Sequence, residues 1–187
     1  DMKMDADEAK IQSSKDKLPS TQFEYLLKAV AACYHGQPQF TERFWNNEIP
    51  QLQQFVKLAS DSVVSFNGGF LNLLTALASG EKCASEVYAL LVNGTGYYSW
   101  NEFMKALKNP LYEDQVKLSK ILILMATLFK WSPSTRDAVV YQPHWRLLDM
   151  LISFLAQPVP TDLKALVLKV FTQVAKDLSI HKHIWLF

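Results

Sequence analysis

From Thr21 onward, apolar residues recur every three or four positions, in blocks separated by Gly, Pro or Asn. Thr21-Gln22-Phe23-Glu24 has the form of a capping box, with a hydroxyl to accept from a first-turn amide and a carboxylate to reach back. Behind it Phe23, Leu26, Leu27, Val30, Ala31 and Tyr34 fall at helical spacing, and Gly36 suits a left-handed C-cap. Residues 40–45 read as a short helical turn. Pro50 opens a helix with Leu52, Phe55, Val56 and Ala59 on one stripe. Asn67-Gly68-Gly69 breaks the chain before a helix carrying Phe70, Leu73, Leu74 and Leu77. Gly80 ends that helix, and Cys83, Val87, Leu90 and Leu91 mark its partner, closed by Asn93-Gly94.

The second half repeats the style. Ser99-Trp100-Asn101-Glu102 is a second capping box, leading into Phe103, Met104 and Leu107. Pro110 separates this helix from a long one over residues 113–131. Ser132-Pro133 begins a short helix that ends near Tyr141. Pro143 is expected to start the next, with Trp145, Leu148, Ile152 and Leu155 on one face and Leu147, Leu151 and Phe154 on another. After Pro158 and Pro160, a last stripe runs through Leu163, Leu166, Val167, Val170, Phe171, Val174 and Leu178. Val63-Val64 and Val139-Val140 are too short for strands, and no alternating run joins them into a sheet.

Residues 121–129 and 145–155 are apolar on two faces, as a helix in the middle of a stack must be. A faint internal echo points the same way: Leu71, Ser79, Val87 and Tyr88 match Leu124, Ser132, Val140 and Tyr141 at one offset. The predicted fold is all-α, an irregular α-solenoid of about ten helices stacked as antiparallel pairs. Residues 1–18 are polar and mixed in charge and read as a flexible tail. Residues 19–187 read as a single solenoid segment of a longer chain, because His183-Ile184-Trp185-Leu186-Phe187 leaves an apolar end that calls for something to dock on.

Composition narrows the function. Of 187 residues, 49% are hydrophobic, enough for a packed core. The net charge of +1 supplies no field for direct nucleic-acid binding. The longest apolar run, 121–129, is shorter than the roughly 20 residues a membrane span needs. Cys33 and Cys83 lie far apart, fit a reducing compartment, and read as core residues rather than nucleophiles. Asn67-Gly68-Gly69 lacks the lysine of a phosphate loop. His181 and His183 are too few for a metal site. Glu113-Asp114 reads as a complement to a helix dipole. Lys105, Lys108, Lys117 and Lys120 read as a solvated helix face. Asn93-Gly94-Thr95 reads as a turn rather than a glycosylation site. No catalytic residue, cofactor or small-molecule substrate is indicated. The strongest contact candidates are aromatic: Tyr97, Tyr98 and Trp100, together with Trp185. For Trp100, a staple at the helix start is the competing and preferred role.

Phe70-Leu71-Asn72-Leu73-Leu74-Thr75-Ala76-Leu77-Ala78-Ser79-Gly80, followed by Cys83-Ala84 and Ala89-Leu90-Leu91, resembles the large inner-ring scaffold nucleoporins. These are the nucleoporin two-hundred-and-five class of animals, called one-hundred-and-ninety-two in fungi. Ser99-Trp100 before Phe103, Lys130-Trp131-Ser132 through Ala138, His144-Trp145 and Leu163-Lys164-Ala165 continue the resemblance, which covers residues 66–185. The stretch between Asn109 and Lys117 is shorter than the long polar loop of vertebrate relatives. The resemblance implies an α-solenoid of the nuclear pore complex at the nuclear envelope, supporting pore assembly and nucleocytoplasmic transport of protein and mRNA. It implies partners among other scaffold and linker nucleoporins, bound through short linear motifs, with no direct nucleic acid, no membrane insertion, no cofactor and no catalytic residues. Phe-Gly repeats are absent, which separates the chain from the nucleoporins of the transport barrier. The alternatives are a HEAT or armadillo-like adaptor in trafficking or nuclear import, which regular repeats of about 40 residues would favour, and an all-α enzyme or small-molecule binder, which needs converging titratable groups.

Overall fold

The computed structural model describes residues 20–48, 50–62, 68–94 and 96–176. The tail over 1–18, the His181/His183 pair and the apolar end with Trp185 lie outside the described residues. Ten α-helices are described: α1 (Ser20–Tyr34), α2 (Pro38–Trp45), α3 (Pro50–Ser62), α4 (Gly68–Leu77), α5 (Glu81–Asn93), α6 (Trp100–Lys108), α7 (Gln115–Trp131), α8 (Pro133–Val140), α9 (Leu147–Ala156) and α10 (Thr161–Val174). Single 3₁₀ turns, Gly96–Tyr98 and Pro110–Tyr112, flank α6. Among the described residues there is no strand, and no helix is long and apolar enough to cross a membrane.

The helices pack in a period of three. α1 packs on α4, α4 on α7, and α7 on α10, forming one row. α2, α5 and α8 form a second row in the same way, and α6 packs on α9 in a third. The first-row helices begin at Ser20, Gly68, Gln115 and Thr161, at intervals of 48, 47 and 46 residues. The all-α stack of about ten helices is therefore as the sequence predicts. Its unit is three helices, where the sequence pattern suggested pairs. The echo noted above falls on equivalent helices, although its offset of 53 residues is longer than the interval between helix starts because α7 is longer than α4: Leu71 and Leu124 are fully buried in α4 and α7. Ser79 and Ser132 sit where a first-row helix hands over to the second row, and Val87 and Val140 lie on α5 and α8.

Burial follows the stacking. α7 has a neighbour on each side, so Leu118, Ile121, Leu122, Leu124, Met125, Ala126, Leu128 and Phe129 are all buried. Each of these side chains except Ala126 contributes about 1.5–3 kcal/mol on leaving water. Among the described residues, α1 has one first-row neighbour. Its Leu27, Ala31 and Tyr34 are buried, whereas Tyr25 and Leu26 are exposed. Cys33 also faces outward, which corrects its reading as a core residue. Cys83 is buried as expected, and its thiol pKa is pushed up by desolvation.

Local signals fix the helix ends. Gly36 takes the left-handed φ of +68° expected of the α1 terminus. Gly80, at φ +117°, makes the sharp passage from α4 to α5 that a side chain would strain. Asp114 caps α7 by accepting from the Lys117 amide at 2.9 Å, and Glu113 pairs with the Lys117 ammonium at 2.7 Å. The paired acids thus act at a helix N-terminus, as the sequence suggests. Ser99 accepts from the Glu102 amide at 3.4 Å, but the Glu102 carboxylate bonds Lys105.

One boundary departs from expectation. Residues 143–145 form a turn, and α9 begins only at Leu147. Arg146 precedes it in the left-handed region at φ +46°, which is costly for a side chain of this size. Pro143 therefore precedes the helix by a full turn, and Trp145 stands outside it. Ile152, expected on a second buried face of α9, is exposed.

Candidate functional site

The third row opens where α6 and α9 face each other. A cavity of roughly 640 Å³ lies between them. From α6 it is lined by Asn101, Met104, Lys105 and Lys108, which recur at the three- and four-residue spacing of one helical face. His144 and Trp145 supply the turn. Arg146, Asp149, Met150 and Ser153 supply the facing stripe of α9.

Met104 is buried, while Trp145 and Met150 are half-buried, so the floor is apolar and polarizable. The rim is charged. Arg146 holds Asp149 through Nε at 2.8 Å and Nη2 at 2.6 Å, both on the one oxygen Oδ2, an exposed ion pair. The Trp145 indole N–H donates to Asn101 Oδ1 at 3.3 Å across the groove. Such an arrangement can hold a chain segment by an apolar anchor and polar edge contacts. Among the described residues, no group of three or more His, Cys, Asp and Glu is placed to hold a metal.

The four aromatic candidates separate. Tyr98 and Trp100 are each 2% exposed and belong to the core, which removes them from the contact surface. Tyr98 packs edge-on against Phe70 at 4.7 Å between ring centroids. Trp100 stands among Tyr88 at 5.7 Å, Phe103 at 6.1 Å and Trp145 at 5.9 Å. Trp100 thus anchors the start of α6 in the core, in line with the preferred staple role. Its indole N–H has no hydrogen-bond partner among the described residues. Tyr97 is exposed but does not line the groove. Trp185 lies outside the described residues.

The groove residues were largely invisible in the sequence. Lys105 and Lys108 are read there as a solvated face, and Met104 as core. The signal that could have found them is Asn101, Lys105 and Lys108 at helical spacing on the face opposite Phe103 and Leu107. Their partners on α9 depend on the three-helix period, which spacing within one helix does not reveal.

Residues 2–120 match a family model described as nuclear pore complex scaffold, nucleoporins 186/192/205. The match includes the N-terminal residues, to which the sequence resemblance gave little weight, and it ends before α8. Among curated proteins, the human (Homo sapiens) nuclear pore complex protein Nup205 is 25% identical over 154 residues. That alignment covers 62% of this chain and 8% of the human protein, so the chain spans less than a tenth of that relative's length.

Proposed function

Since the chain belongs to the nuclear pore complex scaffold family of nucleoporins 186/192/205, we propose that it is a structural segment of the pore's inner ring. In this role it supports pore assembly and nucleocytoplasmic transport by binding other nucleoporins. The family works at the nuclear pore complex, in the nuclear envelope. Residues 19–187 then act as one solenoid segment of a longer chain, and partners engage it through short linear motifs. The role is mechanical and recognitive and needs no catalytic residue.

The observation that carries this reading is the graded burial of the first row. α4 and α7 each pack on two first-row helices, and on α7 only Val116, in its first turn, is an exposed large apolar residue, while the row's outer described helices expose Tyr25 and Leu26 on α1 and Leu168 on α10. Stacks of this kind gain stability from nearest-neighbour interfaces, so such faces suit further units of the same stack. The near-constant interval of 46 to 48 residues favours a second reading, a HEAT or armadillo-like adaptor in trafficking or nuclear import. That architecture serves both roles, and family membership favours the first.

The test is capture of partners by the tagged full-length protein from nuclear-envelope extract, read by mass spectrometry. Enrichment of scaffold and linker nucleoporins is expected. Enrichment of coat, cargo or import factors in their place would favour the adaptor.

A further inference from the structure

We infer that the α6–α9 groove binds an extended, acidic peptide segment that seats an apolar side chain on the Met104–Trp145–Met150 floor. This deepens the scaffold reading and rests on it for the source of the peptide. Three observations on the groove select this occupant.

The first is the orientation of Asn101. An indole N–H can only donate, so the atom of Asn101 that meets Trp145 at 3.3 Å must be its carbonyl oxygen. The other branch of the amide, the NH₂ group, is then a donor held in place for a main-chain carbonyl. An extended segment presents such carbonyls at its edge, whereas a helix has already used them.

The second is charge. The lining contains Lys105, Lys108 and Arg146 against a single carboxylate, Asp149. Arg146 neutralises Asp149 through its Oδ2, and Lys105 pairs with Glu102. Lys108 has no ion-pair partner among the described residues. The α6 rim therefore presents one uncompensated positive charge, that of Lys108, beside the exposed Lys105–Glu102 pair, which a carboxylate would complement and an ammonium would oppose.

The third is the floor. Two methionines and an indole form an apolar surface that adapts to different side chains. A cavity of this size falls within the range of about 300–1,000 Å³ usual for ligand sites. A Leu or Phe on the segment can occupy it without displacing any buried polar group.

The test uses the full chain and capped nine-residue peptides with two leucines separated by glutamates, followed by fluorescence anisotropy. Control sets replace every glutamate by lysine or by glutamine. The acidic set is expected to bind at least tenfold more tightly than the lysine set. Lys105→Glu with Lys108→Glu should weaken it at least tenfold, and Asn101→Leu should weaken it severalfold. All three substituted positions are exposed, and an unchanged melting curve will verify the fold of each variant. Equal binding of the three peptide sets would overturn the inference. So would acidic binding that survives Lys105→Glu/Lys108→Glu, or a concentration-dependent dimer, abolished by the same variant, that excludes peptide. The two readings fail separately. Peptide binding without nucleoporin capture sinks the scaffold role alone. Nucleoporin capture with no acidic preference sinks the groove assignment alone.

Discussion

The second and third rows share one repeat but end in opposite states. Between α2 and the α4–α5 junction the seam is closed by hydrogen bonds to backbone carbonyls. Thr41 Oγ1 lies 2.9 Å from Ser79 O and 2.7 Å from Pro38 O, which share its one proton, and Trp45 Nε1 donates to Leu77 O at 2.9 Å. One unit further on, Ser85 and Ser132 meet hydroxyl to hydroxyl at 3.1 Å at the α7–α8 junction. Between α6 and α9, one indole–amide bond of 3.3 Å crosses an open groove. Carbonyls at the end of a helix need donors. Where a second-row hydroxyl or indole reaches such a carbonyl, or two hydroxyls meet at the junction, the helices close. Where the facing stripes carry long charged side chains that favour water, they stay apart. The same stacking rule thus yields a sealed seam and a receptive one.

The contrast can be broken from its closed side first. Leu124→Ala removes a fully buried side chain from α7 and should cost about 3–5 kcal/mol, whereas Met150→Ala in the groove should cost under about 1.5 kcal/mol. Urea unfolding of both variants checks the difference, and equal losses would erase the distinction between rows. Thr41→Val keeps the shape but strips the hydroxyl from a fully buried site. It should cost about 1–2 kcal/mol, because the Pro38 and Ser79 carbonyls lose the donor they share.

Alkaline pH supplies a milder probe of the packed rows. Burial raises the pKa of the Cys83 thiol and of the Tyr34 and Tyr88 phenols. The folded chain therefore holds these protons more tightly than the unfolded one. Their contribution is complete below the unfolded pKa values and is lost as pH rises through the folded ones. Thermal stability should be level near pH 7–8 and fall above about pH 9. A melting temperature that rises above pH 9 would contradict this. The smallest effect belongs to the open side: Lys105→Glu with Lys108→Glu should change stability by no more than about 0.5 kcal/mol.

Much of the fold was legible because each helix carries its own signals. The Pro and Gly breaks, the apolar stripes and the two-faced pattern of α7 gave helix number and stacking directly. The unit of three was not legible, since it depends on contacts between helices some 47 residues apart. The echo of Leu, Ser and Val, at an offset of 53 residues, marks equivalent helices but not that interval. Cys33 was misread because α1 is amphipathic only in part. Its apolar residues also cover the outward face, where Tyr25 and Leu26 stand. The groove was missed for a related reason. Aromatic residues suggest contact surfaces, but Tyr98 and Trp100 serve the core here. The groove is built from lysines, an asparagine and methionines whose meaning comes from the helix opposite. Trp145 was placed on the α9 face, but the left-handed Arg146 delays that helix and turns the indole into the groove.

Hydrogen–deuterium exchange along the chain tests the three-helix stack most directly, because each helix should be protected according to its neighbours in its row. The account predicts slowest exchange in α4 and α7, which are covered on both sides, and faster exchange in α1 and α10, with α6 and α9 intermediate. Uniform protection, or α7 exchanging as fast as α1, would contradict a stack in which α7 lies between α4 and α10.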